Sequence, residues 1–201
     1  MERVQFRSKK GVFLIRLLGT LEFKTSAGLD VLLSWIQSDR SIQRIIINLE
    51  QARSIDSTSL GLIAQLGLYA NLKHQQKPIL CPGKSPKVKD TLSNLQLHKL
   101  FRWKGEDEVF LIKDRECITL LEPLNEPEDI ICERAISAHK ALMSLSEQNH
   151  LEFKSVMVRL RLEKALLKQE CVDIQSGYEN LKPSDIVRLA TLAGTSQPVI
   201  H

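Results

Sequence analysis

The sequence has no apolar run long enough to cross a membrane, and its first seven residues are not an apolar stretch. A membrane-spanning helix needs roughly 20 apolar residues, and a signal peptide needs an apolar core that Met1–Arg7 lacks. The sequence therefore predicts no membrane contact, and we expect a cytoplasmic protein.

Closely spaced metal ligands are also missing. Zinc sites usually bring cysteines in close pairs, so the scattered cysteines are interpreted as buried thiols. Without an export signal, disulfides are not expected. The histidines show no metal-ligand spacing, so we expect no metal and no cofactor, and no histidine is given a role. The residues concerned are Cys81, Cys117, Cys132, Cys171, His74, His98, His139, His150 and His201.

The common catalytic motifs are absent as well: there is no P-loop, no G-x-G-x-x-G, no H-E-x-x-H and no G-x-S-x-G. Ser57 follows Asp56, but no histidine lies near it in the sequence. A serine without a base is not an activated nucleophile. The sequence therefore indicates a binding module and not an enzyme.

Charge of one sign is not in large excess, since the net charge is only +4. It is unevenly spread, because residues 1–115 are basic on balance and residues 116–201 are acidic. The split would permit the two parts to attract each other, but solvated surface charge is the default explanation. The basic residues of the last part alternate with acidic ones, so we expect no direct nucleic-acid binding; they are Arg159, Arg161, Lys164 and Lys168, with Glu163 and Glu170 among them.

What the sequence does contain is centred on residues 44–72. Ile45–Ile47 is a short β-branched run, which predicts a strand buried on both faces. A row of polar residues, 56–59, then leads into a helical pattern, so these hydroxyls lie at a helix N-terminus. They could simply cap the helix. Alternatively, one of them is a phosphoacceptor, because the first turn of a helix favours an anion. Gly61 is unusual for a helix interior under either interpretation.

The elements around this stretch predict strands that alternate with helices, and hence a mixed sheet with packed helices. Val4–Arg7 is expected to be a short edge strand in a hairpin with residues 12–19. A helix capped by Thr25 or Ser26, a strand at 79–81, a helix from Ser85 or Pro86, and a short last strand follow. The predicted core consists of Phe6, Phe13, Ile15, Leu33, Ile45, Ile47, Ile63 and Ile79.

The last part differs in kind. Residues 109–112 and 118–121 form a final helix or an added strand, and beyond Pro127 the pattern is helical. Helices at 128–148 and 152–171, separated by Asn149 and His150, suggest an antiparallel hairpin, with a third short helix at 184–190. These helices should dock on the first domain, on a second chain or on a partner. The predicted organisation is a domain at 1–115, a connector at 116–127 and an all-α extension at 128–201.

The run Ile55-Asp56-Ser57-Thr58-Ser59-Leu60-Gly61, after a strand ending Asn48-Leu49, resembles the signature of the STAS domain, the anti-sigma factor antagonist family. The usual form is Asp-Ser-Ser/Thr-Gly-Leu-Gly, and Ser59 stands where Gly is usual. The resemblance covers residues 1–115 and implies an α/β, STAS-like mixed sheet. It also implies that Ser57 is the phosphoacceptor and that Asp56, Thr58, Ser59, Leu60 and Gly61 form the partner-binding surface.

The resemblance further implies phosphorylation-controlled partner switching in transcription regulation. The unphosphorylated protein would bind an anti-sigma factor that is also a GHKL-type serine kinase, and a PP2C-type phosphatase would reset it. This requires that the Ser57 hydroxyl be exposed at the helix start, with Asp56 orienting it. The alternative is a stressosome-type or other signalling scaffold, in which the helical extension gives a homo-oligomer.

Overall fold

A computed structural model describes residues 3–23, 26–73, 77–83, 85–104, 117–120 and 126–167. The strands are β1 (Arg3–Lys9), β2 (Val12–Leu21), β3 (Arg44–Ile55), β4 (Ile79–Cys81), β5 (Arg102–Trp103) and β6 (Ile118–Leu120). The helices are α1 (Ser26–Ser38), α2 (Ser57–Lys73), α3 (Pro86–Asn94), α4 (Glu128–Met143) and α5 (Glu147–Leu167). A 3-10 helix, Leu97–Lys99, precedes β5. This is the expected mixed α/β fold with a helical extension.

The strands form one six-stranded sheet in the order β5-β4-β3-β2-β1-β6. The pairs β2–β3, β3–β4 and β4–β5 are parallel, whereas β1 is antiparallel to both β2 and β6. The expected β1–β2 hairpin is confirmed, and Lys10 and Gly11 both adopt positive φ in its turn, as a two-residue hairpin loop requires. The prediction that this first strand lies at the edge is wrong, because β6 pairs on its other side. Of the two possibilities for the segment at 118–121, the added strand is correct for its described residues, Ile118–Leu120, whereas residues 109–112 lie outside the described residues.

The central strand β3 is buried on both faces, as its apolar run predicts. Ile45 and Ile47 belong to the main core beneath the helices, and Ile46 belongs to a smaller cluster on the opposite face. All eight predicted core residues are buried. Burying such branched side chains contributes about 1.5–3 kcal/mol each, so this strand fixes the position of the helix that follows it.

The extension forms the predicted helical hairpin, but its turn comes earlier in the chain than the predicted Asn149 and His150. It lies at residues 144–146, and Asn149 is a buried residue within α5. The reason is local capping, because the Ser146 side chain accepts the N–H of Asn149 at 3.1 Å and its carbonyl accepts the N–H of His150 at 3.0 Å. The expected third helix at 184–190 lies outside the described residues. None of the described helices is long and apolar enough to cross a membrane.

Candidate functional site

The loop after β3 places Ser57 at the first position of α2. Asp56 directly before it is tied to the end of β2, because its N–H donates to the Leu21 carbonyl at 3.0 Å. The Asp56 carboxylate accepts the N–H of Ser59 at 2.8 Å, which is the bond an N-cap residue makes. Capping, one of the two interpretations of the polar row, is therefore the role of Asp56 in this structure.

Ser57 is half-buried, and its hydroxyl does not stand free at the helix start as expected. Its Oγ lies 2.9 Å from Nε2 of His139, a residue of α4 that is only 3% exposed. Nδ1 of the same ring lies 2.7 Å from the Ala135 carbonyl. A carbonyl can only accept, so Nδ1 carries a proton, and in the neutral ring Nε2 accepts the Ser57 hydroxyl proton. The expectation that Ser57 lacks a histidine partner is therefore wrong.

Gly61 lies one turn after Ser57, where α4 crosses α2. A Cβ built at Gly61 would stand 2.3 Å from the carbonyl oxygen of Ala138, a distance that atoms do not tolerate. Glycine is thus needed here for close helix approach, which explains its place in a helix interior. One turn further, the Gln65 side chain donates to the Ser137 hydroxyl at 2.8 Å. Ser57, Gly61 and Gln65 are four residues apart, so they share one face of α2, and α4 covers that face.

The other residues of the expected contact surface point elsewhere. Thr58, Ser59 and Leu60 are buried, at 6%, 2% and 2% exposure. Leu60 lines a shallow crevice with Val88 and Thr91 of α3. The structure therefore brings Ser57 and Gly61 together on the α4 side and turns Leu60 towards α3.

A family model described as the STAS domain matches residues 3–111, which is more than half of the chain. The chain belongs to the STAS domain family. A solved structure of the anti-sigma factor antagonist SpoIIAA in its unphosphorylated form is similar over 52% of this chain and 90% of that one. The two share 20% sequence identity, with a TM-score of 0.42.

The helix that covers Ser57 is not part of the matched STAS domain, since α4 begins at Glu128. Polar contacts hold it at both ends. Near its start, the buried Arg134 pairs with Glu126 and bonds Asp30 and Ser26 of α1 at 3.3 Å each. After its end, Asn149 donates to the carbonyls of Leu95 and Leu142 at 3.1 and 3.0 Å. The STAS domain is therefore bound to its extension by an ion pair and hydrogen bonds as well as by packing.

Helix α5 packs against α4. The Phe153 ring packs edge-to-face against the His139 ring, with the ring centroids 5.3 Å apart. Phe153 therefore helps to hold the ring that contacts Ser57. The Cys132 thiol donates to the Leu160 carbonyl at 3.1 Å. Burial raises the pKa of Cys132, so the thiol stays protonated and keeps this bond.

A serine bonded to a histidine is also the arrangement of an activated nucleophile. In this STAS protein the ring is held by a backbone carbonyl instead of a carboxylate, and both side chains lie between packed helices. The pair therefore acts as a contact between α2 and α4. Among the described residues, no group of three or more His, Cys, Asp or Glu side chains is arranged to hold a metal ion.

Sequence reasoning missed His139, Ala138 and Arg134. Ser57 and His139 are 82 positions apart, so no local pattern in the sequence reveals their contact. One signal was available, because Gly61 inside an apolar helix indicates that another backbone approaches. It does not identify which one.

Proposed function

We propose that this STAS protein is an anti-sigma factor antagonist that acts by phosphorylation-controlled partner switching in the cytoplasm, with Ser57 as the phosphoacceptor. The observation that carries the proposal is the position of Ser57, which is the first residue of α2 and directly follows the capping Asp56 in a STAS domain. Unmodified, the protein binds an anti-sigma factor that is a GHKL-type serine kinase, and transcription from the released sigma factor follows.

The chemistry needs only Ser57 from this chain. The kinase transfers the γ-phosphoryl group of ATP, so a bond forms between Ser57 Oγ and phosphorus while the bond to the leaving ADP breaks. The hydroxyl proton goes to a base of the kinase. A PP2C-type phosphatase hydrolyses the ester and resets the switch. This chain is then a substrate and a binding partner, not an enzyme.

The local structure suits an anion at this position. The positive end of the α2 helix dipole lies at Ser57 and favours an anion there. The modification adds about −2 charge, which a tightly packed protein interface would have to desolvate. The half-buried Asp56 adds a like charge one residue away. Partner binding is therefore expected to end on phosphorylation.

The proposed partner surface is built from two kinds of residue. Asp56 and Ser57 offer half-buried side chains that a partner contacts directly. The buried Thr58, Ser59 and Leu60 fix the backbone of the first turn from below. Gly61 leaves a flat place at which a partner helix approaches closely, in the same way as α4 does here.

The test is intact-mass analysis and peptide mapping after incubation with ATP and each GHKL-type kinase of the same genome. Wild type gains one phosphoryl group, mapped to Ser57. Ser57→Ala gains none and stays bound to the kinase in the presence of ATP, whereas Ser57→Asp does not bind. Ser34→Ala, at an exposed serine of α1, serves as the matched control and behaves as wild type. Modification mapped to another residue, or normal binding by Ser57→Asp, contradicts the proposal.

A second candidate function is a stressosome-type scaffold that assembles through the extension. The observation in its favour is the set of exposed apolar side chains on α5, namely Leu151, Leu162 and Leu166 at 65%, 53% and 80% exposure. Light scattering on the same samples separates the two functions. A large homogeneous particle that no kinase modifies supports the scaffold.

A further inference from the structure

The α4–α5 hairpin lies on the face of α2 that carries Ser57. Three contacts in a row define this overlap: His139 to Ser57, Ala138 to Gly61 and Ser137 to Gln65. The Ser57 hydroxyl, which a kinase must reach, is bonded to a histidine that is 3% exposed. A partner protein and α4 cannot occupy this face at the same time.

The contact between α4 and α2 contains polar groups as well as apolar ones. Its α2 side includes a serine, a glycine and a glutamine, whose polar groups water can satisfy after separation. The polar anchors of the hairpin, Arg134 in the first half of α4 and Asn149 in the first turn of α5, can also be rehydrated. Leu142 and Phe153 do extend into the core, so the closed arrangement is favoured and opening has a finite cost.

We propose that the α4–α5 hairpin is a reversible intramolecular cover over Ser57, which competes with the partner protein for the same face of α2. The identity of that partner rests on the proposed function, but the cover itself does not. In the closed form a partner protein cannot reach the Ser57 side chain. In the open form α2 presents Ser57, Gly61 and Gln65 to a partner.

Modification and closure oppose each other. In the closed form the Ser57 hydroxyl proton is donated to His139 Nε2. A phosphoryl group replaces that proton, so the residue can no longer donate to Nε2, and a bulky dianion has to be placed where two helices are packed. Coupling between two equilibria is reciprocal. If a phosphoryl group on Ser57 favours the open form, opening in turn favours the phosphorylated state of Ser57.

The experiment measures access to position 57 without any partner. Ser57→Cys is made in the full chain, and alkylation of the introduced thiol by N-ethylmaleimide is followed by peptide mapping, which separates it from the native cysteines. Ala138→Glu, added to this background, places a charge at a position that is fully buried against α2 and leaves α2 unchanged. Gln148→Glu, at an exposed position on α5, is the control that adds the same charge.

Alkylation of the thiol at position 57 is expected to rise at least tenfold with Ala138→Glu and to stay unchanged with Gln148→Glu. Hydrogen exchange of the β3 amides is measured on the same samples and stays at the wild-type rate. Equal alkylation at position 57 with and without Ala138→Glu overturns the proposal.

A second measurement uses the unmodified wild type, so it does not depend on whether Ala138→Glu folds. The α4 amides of wild type are expected to exchange at least tenfold faster than those of β3, because the hairpin opens while the sheet stays intact. If the amides of α4 and β3 exchange at the same rate, because both open only on global unfolding, the proposal is overturned.

A kinase assay on chains that retain Ser57 distinguishes the failure of this inference from that of the proposed function. If Ala138→Glu is phosphorylated at least tenfold faster than wild type, both the proposed function and the proposed cover are supported. If Ala138→Glu speeds alkylation at position 57 but no GHKL-type kinase phosphorylates either chain, the proposal of a cover is supported and the proposed function is contradicted. Equal phosphorylation of Ser57 in both chains supports the proposed function and overturns the cover.

Discussion

Helix α2 has two covered faces that are built differently. The face towards the sheet and α1 carries large apolar side chains, among them Leu62, Ile63 and Leu66, all at or below 1% exposure. The face under α4 carries Ser57, Gly61 and Gln65. Exposing buried apolar area to water costs about 25 cal/mol per Å², whereas polar groups regain hydrogen bonds from water. The first face therefore belongs to the fold, and the second is suited to exchange one partner for another.

The largest effect is expected on the sheet side. Ile63→Ala removes buried methyl groups at a position with 0% exposure and leaves a cavity, so we expect a loss of about 2–5 kcal/mol in the free energy of unfolding. Chemical denaturation measures it. Leu72→Ala in the same helix, 84% exposed, is the control and should change the value by less than about 0.5 kcal/mol. If Ile63→Ala and Leu72→Ala lowered the free energy of unfolding equally, the sheet side of α2 would not be the part that stabilises the fold.

The sequence also predicts well the core between α2 and the sheet. An apolar run and helical spacing are local patterns, and they correctly place Ile45 and Ile47 of β3 and Ile63 of α2 in the core. The position of Ser57 at a helix start followed from the same patterns. The cover over it did not, because the Ser57–His139 bond joins residues 82 positions apart. The α4–α5 turn was misplaced because its signal is a single serine, Ser146, that caps α5.

A medium effect is expected at the crossing of α2 and α4. Gly61→Ala makes α2 a better helix by about 1 kcal/mol, but its Cβ would stand 2.3 Å from the Ala138 carbonyl oxygen. Overpacking of this kind costs about 1–3 kcal/mol, and α4 can avoid it by moving away. We therefore expect faster hydrogen exchange in α4 with little change in β3.

The matched control for the crossing is Gly67→Ala, two turns further along α2. The added Cβ would meet the ring of Phe101 and the Leu100 side chain at 2.8–2.9 Å, and not α4. Any loss of stability there should leave the exchange of α4 relative to β3 as in wild type. If Gly61→Ala and Gly67→Ala change α4 equally, the crossing is not a separate contact.

The smallest effect is expected from the ring that contacts Ser57. His139→Phe keeps an aromatic ring against Phe153, whose centroid is 5.3 Å away, and removes the bonds to Ser57 Oγ and the Ala135 carbonyl. A net hydrogen bond is worth about 1 kcal/mol, and the half-buried Ser57 can turn to water, so we expect α4 to exchange about fivefold faster. His150→Phe, at an exposed position of α5, should leave the rate unchanged. An unchanged rate in His139→Phe would mean that the hydrogen bond to Ser57 does not contribute to closure. The packing of Leu142 and Phe153 and the polar contacts of Arg134 and Asn149 would then hold the cover without it.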